Sequence, residues 1–370
     1  MALRIARLCL VSSPRGGILA NVLWLVFALS FLWFPYIGMW VFPCQQQREH
    51  KHHSNSWSKY GPTSQLVDYT TIESLSTQNH TIPIVAQDQK KRLKNFCATH
   101  NMPSNVYSEA RVKDLYHHIL VDDHRKLLFC YVPKVGCSNW KRVFLILSGI
   151  VDHTQKSRPS IEVFRQVNSL ESYNPKEREY RLRNYFKFMF IRYPPERVLS
   201  AYRNKIEHPL ITDTDEQSIW DEVRYSILNS YRMNFNVKMA KEKEDVYPTF
   251  SEFLHFLYDS DPVEMNEHYK PMVELCQPCA VEYDFVGNFG TMRSDADAIL
   301  EQLDIDSALF WDRGKHRKPT NSYVQKYYSK LQPADFRRLE ERFGGDMALY
   351  DSLFPFTGDP NYGTIRDSKL

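Results

Sequence analysis

The stretch Lys126-Leu127-Leu128-Phe129-Cys130-Tyr131-Val132-Pro133-Lys134-Val135-Gly136-Cys137-Ser138-Asn139-Trp140 decides how this chain is read. Its first seven residues form a short apolar run suited to a buried strand, and Pro133 and Gly136 interrupt it. Beyond the break, Trp140, Val143, Phe144 and Leu147 recur at helical spacing, with Ser138 or Asn139 available as the cap. A second unit repeats the pattern. Tyr185-Phe186-Lys187-Phe188-Met189-Phe190-Ile191 reads as a strand, Arg192-Tyr193-Pro194-Pro195 as a turn, and Glu196 to Ile206 as a helix begun after proline. Strands alternating with helices predict an α/β domain whose central parallel sheet is flanked by helices. Ligands in such sheets gather at the carboxyl ends of the strands.

Outward from these units, apolar periodicity runs from about Lys91 almost to Leu370 without a Pro/Gly/Ser linker, which predicts one catalytic domain over 91–370. Residues 43–90 are rich in Gln, His, Ser, Thr and Lys and read as a stem that need not fold. Between Ile18 and Phe42 no residue is charged, and the run is long enough to cross a bilayer as one helix. Arg4, Arg7 and Arg15 precede it without an acidic residue, which places 1–17 in the cytosol, 18–42 in the membrane as a signal anchor, and the body in the lumen. A cleaved signal peptide is the rival, but the run ends in Met39-Trp40-Val41-Phe42, not in small cleavage-site residues.

A luminal body has consequences. Asn79-His80-Thr81 becomes a usable glycosylation sequon. Cys44, Cys97, Cys130, Cys137, Cys276 and Cys279 lie where disulfides persist, and their spacing leaves the pairing open. Cys276-Gln277-Pro278-Cys279 has no second close pair to complete a tetrahedral zinc site, so structural disulfides are the better reading. The formal net charge of +3 is too small to imply nucleic-acid binding, so an anionic partner must be held by local clusters.

A loop leaving a strand and entering a helix aims backbone N–H groups and the positive end of the helix dipole at one spot, which suits phosphate or sulfate. In 133–139, Gly136 permits close backbone approach, Ser138 and Asn139 offer hydrogen bonds, and Lys134 supplies a mobile charge. The spacing is not that of an ATPase or kinase loop. In the second unit, Arg192 at the strand end and Ser200 on the helix can together fork another phosphate.

With these residues in view, Tyr131 through Arg142 resembles the 5′-phosphosulfate loop of the Golgi carbohydrate sulfotransferases that include the chondroitin, dermatan and N-acetylgalactosamine 4-O-sulfotransferases. Tyr185 to Lys205 resembles their 3′-phosphate motif. Asn266-Glu267-His268-Tyr269-Lys270-Pro271, followed by Leu275 to Gly287, is especially similar to the dermatan 4-O-sulfotransferase branch. The resemblance covers about residues 91–300. It implies a sulfotransferase-type, P-loop-like α/β fold behind a single membrane anchor, 3′-phosphoadenylyl sulfate (PAPS) as donor, no metal, a Golgi membrane location and a glycan acceptor. Pro133, Lys134, Val135, Gly136, Cys137, Ser138 and Asn139 would hold the 5′-phosphosulfate. Arg192, Tyr193, Pro194, Pro195, Glu196, Arg197, Val198, Leu199 and Ser200 would form the 3′-phosphate segment, with Arg192 and Ser200 as ligands. Gly136 stands where many relatives have alanine, Tyr193-Pro194 where an acidic-Pro pair is commoner, and Tyr269 where tryptophan is usual.

Sulfuryl transfer needs in-line geometry and charge stabilisation. Lys134 suits the leaving side, and His268 is the first choice as base, with Glu267 and His208 as alternatives. The resemblance points to the 4-hydroxyl of N-acetylgalactosamine in dermatan or chondroitin, or otherwise to another glycan. The basic run Arg313-Gly314-Lys315-His316-Arg317-Lys318 could meet an anionic acceptor or simply be a solvated loop. A metal-dependent type II glycosyltransferase shares the anchor and stem, and Asp-x-Asp pairs such as Asp295-Ala296-Asp297 suit it, but chelation would separate the two classes. Oligomeric state is open.

Overall fold

The computed structural model describes residues 84–100, 109–154, 159–207, 214–233, 235, 246–310 and 320–355. The expected cytosolic tail and anchor (1–17 and 18–42), Asn79, His208 and the 313–318 cluster lie outside these residues, as does the stem before residue 84. Among the described residues no helix is long and apolar enough to cross a membrane.

Helix α1 (Ile84–Thr99) and α2 (Glu109–His118) precede a sheet of four strands: β1 (Ile119–Asp122), β2 (Leu127–Cys130), β3 (Phe186–Ile191) and β4 (Phe285–Asn288), in that spatial order. β2, β3 and β4 run parallel, with Leu127 opposite Phe186 and Phe188 opposite Phe285. Their residues are buried throughout, as strands covered on both faces must be. The expectation of a purely parallel sheet needs correction. β1 pairs antiparallel with β2, because only four residues connect them and so short a link permits a hairpin but no crossover. Arg125 N donates to Asp122 Oδ1 (3.1 Å) and Lys126 takes φ 53° to close that turn.

Helix α3 (Cys137–Leu147) follows β2 and covers the sheet through Trp140, whose ring lies 4.8 Å from Phe188, itself stacked on Phe129 at 4.9 Å. The N-cap is Gly136 at φ 69°, not Ser138 or Asn139, and no side chain caps the helix. The left-handed glycine swings the chain into the helix early enough to leave both polar residues inside the first turn. The second helix also differs from expectation. α5 (Pro194–Ala201), which follows α4 (Pro175–Asn184) and β3, starts on its prolines, whose missing N–H groups cost nothing at N1 and N2. It then widens into a π-turn over Tyr202–Glu207.

α1 straddles the boundary drawn at residue 90. Gln89, Leu93 and Phe96 are buried, Lys90 pairs with Asp284 at 2.7 Å, and Cys97 is bonded to Cys279. A second disulfide joins Cys130 at the end of β2 to Cys276 at the end of α8 (Met272–Cys276), numbered after α6 (Thr214–Tyr231) and α7 (Phe250–Asp259). Cys276 and Cys279 thus serve different partners, which settles the pairing that spacing left open. Beyond β4 come α9 (Met292–Gln302) and α10 (Pro333–Leu353). Alongside the sheet core, a second apolar cluster packs Val198, Leu199 and Ile206 against Phe253 and Leu257 of α7 and Phe343 of α10.

Candidate active site

The two strand–helix loops meet at the carboxyl ends of β2 and β3. In the first, Lys134 (φ 70°) and Gly136 (φ 69°) both take the left-handed conformation, which directs the intervening backbone around the N-terminus of α3. Gly136 has a packing reason as well: a Cβ there would lie 2.3 Å from Met292 Sδ. Lys134, Gly136, Cys137, Ser138 and Asn139 keep part of their surface open, whereas Pro133 and Val135 are buried. Cys137 is the free cysteine among the described residues. The Lys134 ammonium donates to Asn204 Oδ1 at 2.8 Å, from the π-turn beyond α5. Two left-handed residues, a helix N-terminus and a lysine suit the phosphosulfate group expected here.

In the second loop, Arg192 is 4% exposed. Its Nη1 donates to Lys134 O (3.1 Å), its Nε and Nη2 to Glu196 Oε2 (both 3.3 Å), and its guanidinium lies 4.3 Å from the Phe289 centroid. Tyr193, Glu196 and Ser200 are half-buried; Arg192 lies just beyond β3 and Ser200 near the end of α5. Pro194, Pro195, Val198 and Leu199 are core residues, and their part in the motif is to pack α5 in place.

Arg197 has a role that sequence reasoning missed. It is 1% exposed, and it donates to three backbone carbonyls: Pro133 O (3.1 Å), Lys270 O (2.7 Å) and Glu267 O (3.0 Å). It braces the donor loop against the 266–271 block and does not face the anion site. Burial pulls its pKa down to about 10, so it remains a cation at neutral pH.

That brace brings His268 to the same site. Asn266 Oδ1 accepts from the His268 backbone N–H (3.0 Å) and lies 2.9 Å from Nδ1. Because the backbone donor marks that atom as an oxygen, Nδ1 carries the proton and Nε2 keeps its lone pair. Burial first, then Lys205, Lys134 and Arg197, push the imidazole down to about 3 against the opposing pull of Glu267. It is therefore neutral at physiological pH, and a weak base while those charges face it. Its ring sits edge-on to Trp220 at 5.3 Å, and the Lys205 ammonium is 5.1 Å from the Trp220 ring centroid. Glu267, the alternative base, is committed elsewhere: His118 Nε2 lies 3.0 Å from its Oε2. Tyr269 turns into the second core, 5.6 Å from Phe253, so its departure from tryptophan is a packing change.

A cleft of about 370 Å³ opens at the far end of the sheet, around Asp122, Asp123 and Tyr173. There Asp123 is saturated by Arg181, Tyr173 and Tyr185, and no reactive pair faces the space. Among the described residues no group of three or more His, Cys, Asp or Glu could hold a metal. Asp295 and Asp297 instead serve Asn288 N and Arg293.

A profile described as the Sulfotransferase family matches residues 117–354. Carbohydrate sulfotransferase 14 of Danio rerio is 37% identical over 74% of this chain and 73% of its own length. The protein of the same name from Homo sapiens is 41% identical over 59% of this chain and 55% of its own length. Carbohydrate sulfotransferase 9 of Homo sapiens is 32% identical over 80% and 66% respectively. No solved structure matches the chain significantly.

Proposed function

Because the chain belongs to the sulfotransferase family and is a carbohydrate sulfotransferase, we propose that it moves a sulfuryl group from PAPS to the 4-hydroxyl of N-acetylgalactosamine in dermatan- or chondroitin-type chains. The observation that carries this reading is the convergence of Lys134, Arg192 and a neutral His268 on one site, braced by Arg197. PAPS would supply an activated sulfuryl group whose leaving oxygen gains negative charge in transfer. The 134–139 backbone and Lys134 would hold the phosphosulfate, and Arg192 with Ser200 the 3′-phosphate. Lys134 would stabilise the leaving oxygen more in the transition state than in the ground state. His268 Nε2 would take the proton of the acceptor hydroxyl. An anion beside Lys134 offsets one of the charges that depress His268, so a filled donor site leaves the histidine a stronger base. No step in this scheme needs a metal.

The two disulfides fit an oxidising compartment, and with the apolar run 18–42 they support a Golgi membrane protein with a luminal body, the anchor single-pass and Asn79 glycosylated. The specific acceptor rests on similarity to relatives named carbohydrate sulfotransferase 14 and on the 266–287 block. The test is transfer of labelled sulfate from PAPS by the full-length chain with EDTA present, offered desulfated dermatan, chondroitin and an N-acetylgalactosamine glycoside. Transfer to dermatan or chondroitin that survives chelation and collapses in Lys134→Ala supports the proposal. Failure to bind the nucleotide product overturns the donor assignment, and transfer to another glycan alone overturns the acceptor.

A further inference from the structure

We propose that His118 and Glu267, joined to the Tyr131 backbone, form a hydrogen-bonded brace that holds His268 in register with the donor loop, His118 acting as a positioning residue for the acceptor-side base. The inference rests on the reading of His268 as that base.

His118 closes α2 and is 1% exposed. Its Nδ1 lies 2.7 Å from the carbonyl oxygen of Asp114, and its Nε2 lies 3.0 Å from Glu267 Oε2. A carbonyl can only accept. The carboxyl of Glu267 is also an acceptor here: burial alone would raise it, but the hydrogen bond and charge of His118, then His268 and Lys141, bring it down to about 2. The imidazole is thus clamped between the Asp114 carbonyl and the Glu267 carboxylate, one at each ring nitrogen. Tyr131 packs beside the pair, and burial first, then the Glu267 charge, raises its phenol well above the ordinary value. Its ring lies 4.6 Å from that of His118 and carries the Lys141 ammonium 3.4 Å from its centroid. The Tyr131 backbone N–H donates to His118 O at 2.9 Å, which fixes strand and helix end together.

Position gives this cluster its consequence. Tyr131 leads directly into Pro133 and Lys134, and Glu267 is the immediate neighbour of His268. His118, held by Glu267 on its ring and by Tyr131 N–H on its carbonyl, therefore ties the approach to the donor loop to the residue that must meet the acceptor. The other groups facing His118 are the Asp114 carboxylate, 3.5 Å from Nδ1 and itself paired with Lys270 at 2.5 Å, and the His117 ring at 5.5 Å. Removing the imidazole leaves one or both of these oxygens without its partner, and the brace slackens. Donor binding through Lys134 and Arg192 does not pass through the cluster, so the effect falls on turnover.

The experiment measures kcat, KM for PAPS, affinity for the nucleotide product and thermal stability of the full-length chain. His118→Gln, Tyr131→Phe, Glu267→Ala and His268→Ala are compared with the parent. Displacement of a reacting group by an ångström costs up to about a hundredfold, so His118→Gln is expected to lose about ten- to a hundredfold in kcat with product affinity unchanged. Tyr131→Phe keeps the ring on His118 and the backbone bond to its carbonyl, so its kcat should stay near the parental value. A folded His118→Gln with the parental kcat overturns the brace. If His118→Gln fails to fold, parental kcat in Glu267→Ala overturns it instead. Should His268→Ala keep parental kcat, the base assignment falls and the brace with it. An inactive His268→Ala beside an unaffected His118→Gln overturns the brace alone.

Discussion

Replacing Arg197 by lysine should separate stability from charge at the point where the two halves of the site are joined. The guanidinium spans three carbonyls, Pro133 O at 3.1 Å, Glu267 O at 3.0 Å and Lys270 O at 2.7 Å, and it is wholly buried. A lysine keeps the cation but delivers it as one ammonium on a flexible stem, which cannot reach the spread of oxygens that a planar fork holds. At least one and more often two buried carbonyls are left without a donor, at about 1–3 kcal/mol each. The expected loss is about 2–5 kcal/mol, against a total stability of roughly 5–15 kcal/mol. In a domain of this size that lowers Tm by roughly 5–15 °C. Because the bonds to Pro133 and Glu267 are what hold Lys134 and His268 in common register, kcat should fall by about tenfold or more even well below Tm. The assays are denaturant unfolding at fixed pH and initial-rate kinetics on the same preparation. A variant with parental Tm and parental kcat would refute the bracing role, and one with reduced Tm but parental kcat would confine Arg197 to stability.

Gly136→Ala should weaken binding of the nucleotide product, measured by calorimetry, because the new methyl would displace Met292 and the residue must hold φ 69°. The double change Cys130→Ala/Cys276→Ala should cost about 4 kcal/mol on the chain-entropy account of a long loop, read as a lower denaturation midpoint. It should also lower kcat, since that bond anchors the strand before Lys134 to the helix after His268. Two buried groups should tilt the pH–stability curve in opposite directions. His268 is held below its ordinary 6.5, at about 3, so the unfolded chain binds the extra proton and stability falls as pH drops from 6.5 toward 3. Asp346 is pushed by burial from 3.8 up to about 6, outweighing Arg197 and the N–H groups of Met272 and Val273, so its contribution is full below 3.8 and lost as pH rises through 6. His268→Gln should remove the first slope and Asp346→Asn the second, in chemical unfolding followed across that range.

Local pattern was enough to find the two strand–helix units, since a buried strand must be apolar and a proline or glycine break must follow it. The positions of Lys134, Arg192 and Ser200 were legible for the same reason: Lys134 lies in the loop between β2 and α3, Arg192 just beyond β3 and Ser200 on α5. The 266–271 block was legible as a resemblance, and only the fold explained it. Nothing in the spacing of His118, Arg197, Asn204 or Glu267 announces that they meet, because Arg197 and the carbonyls it holds are 64 to 73 residues apart and His118 and Glu267 are 149 apart. Arg197 stands in a motif with Arg192, and the chain alone gives no means of telling which arginine faces the ligand.

Backbone chemistry and apolar periodicity act over a few residues, so the sequence by itself determined the α/β class, the two strand–helix turns and the cation in each. The tertiary structure decided what depends on distant segments arriving together: the antiparallel edge strand, the pairing of Cys97 with Cys279 and Cys130 with Cys276, and the contact of His118 with Glu267. The physical reason is desolvation. Burial removes the water that would otherwise satisfy each polar group, so every buried charge must take a partner from elsewhere in the chain. For Arg192 the partners are Glu196 and the Lys134 carbonyl, and for Arg197 they are three carbonyls on both sides of the site.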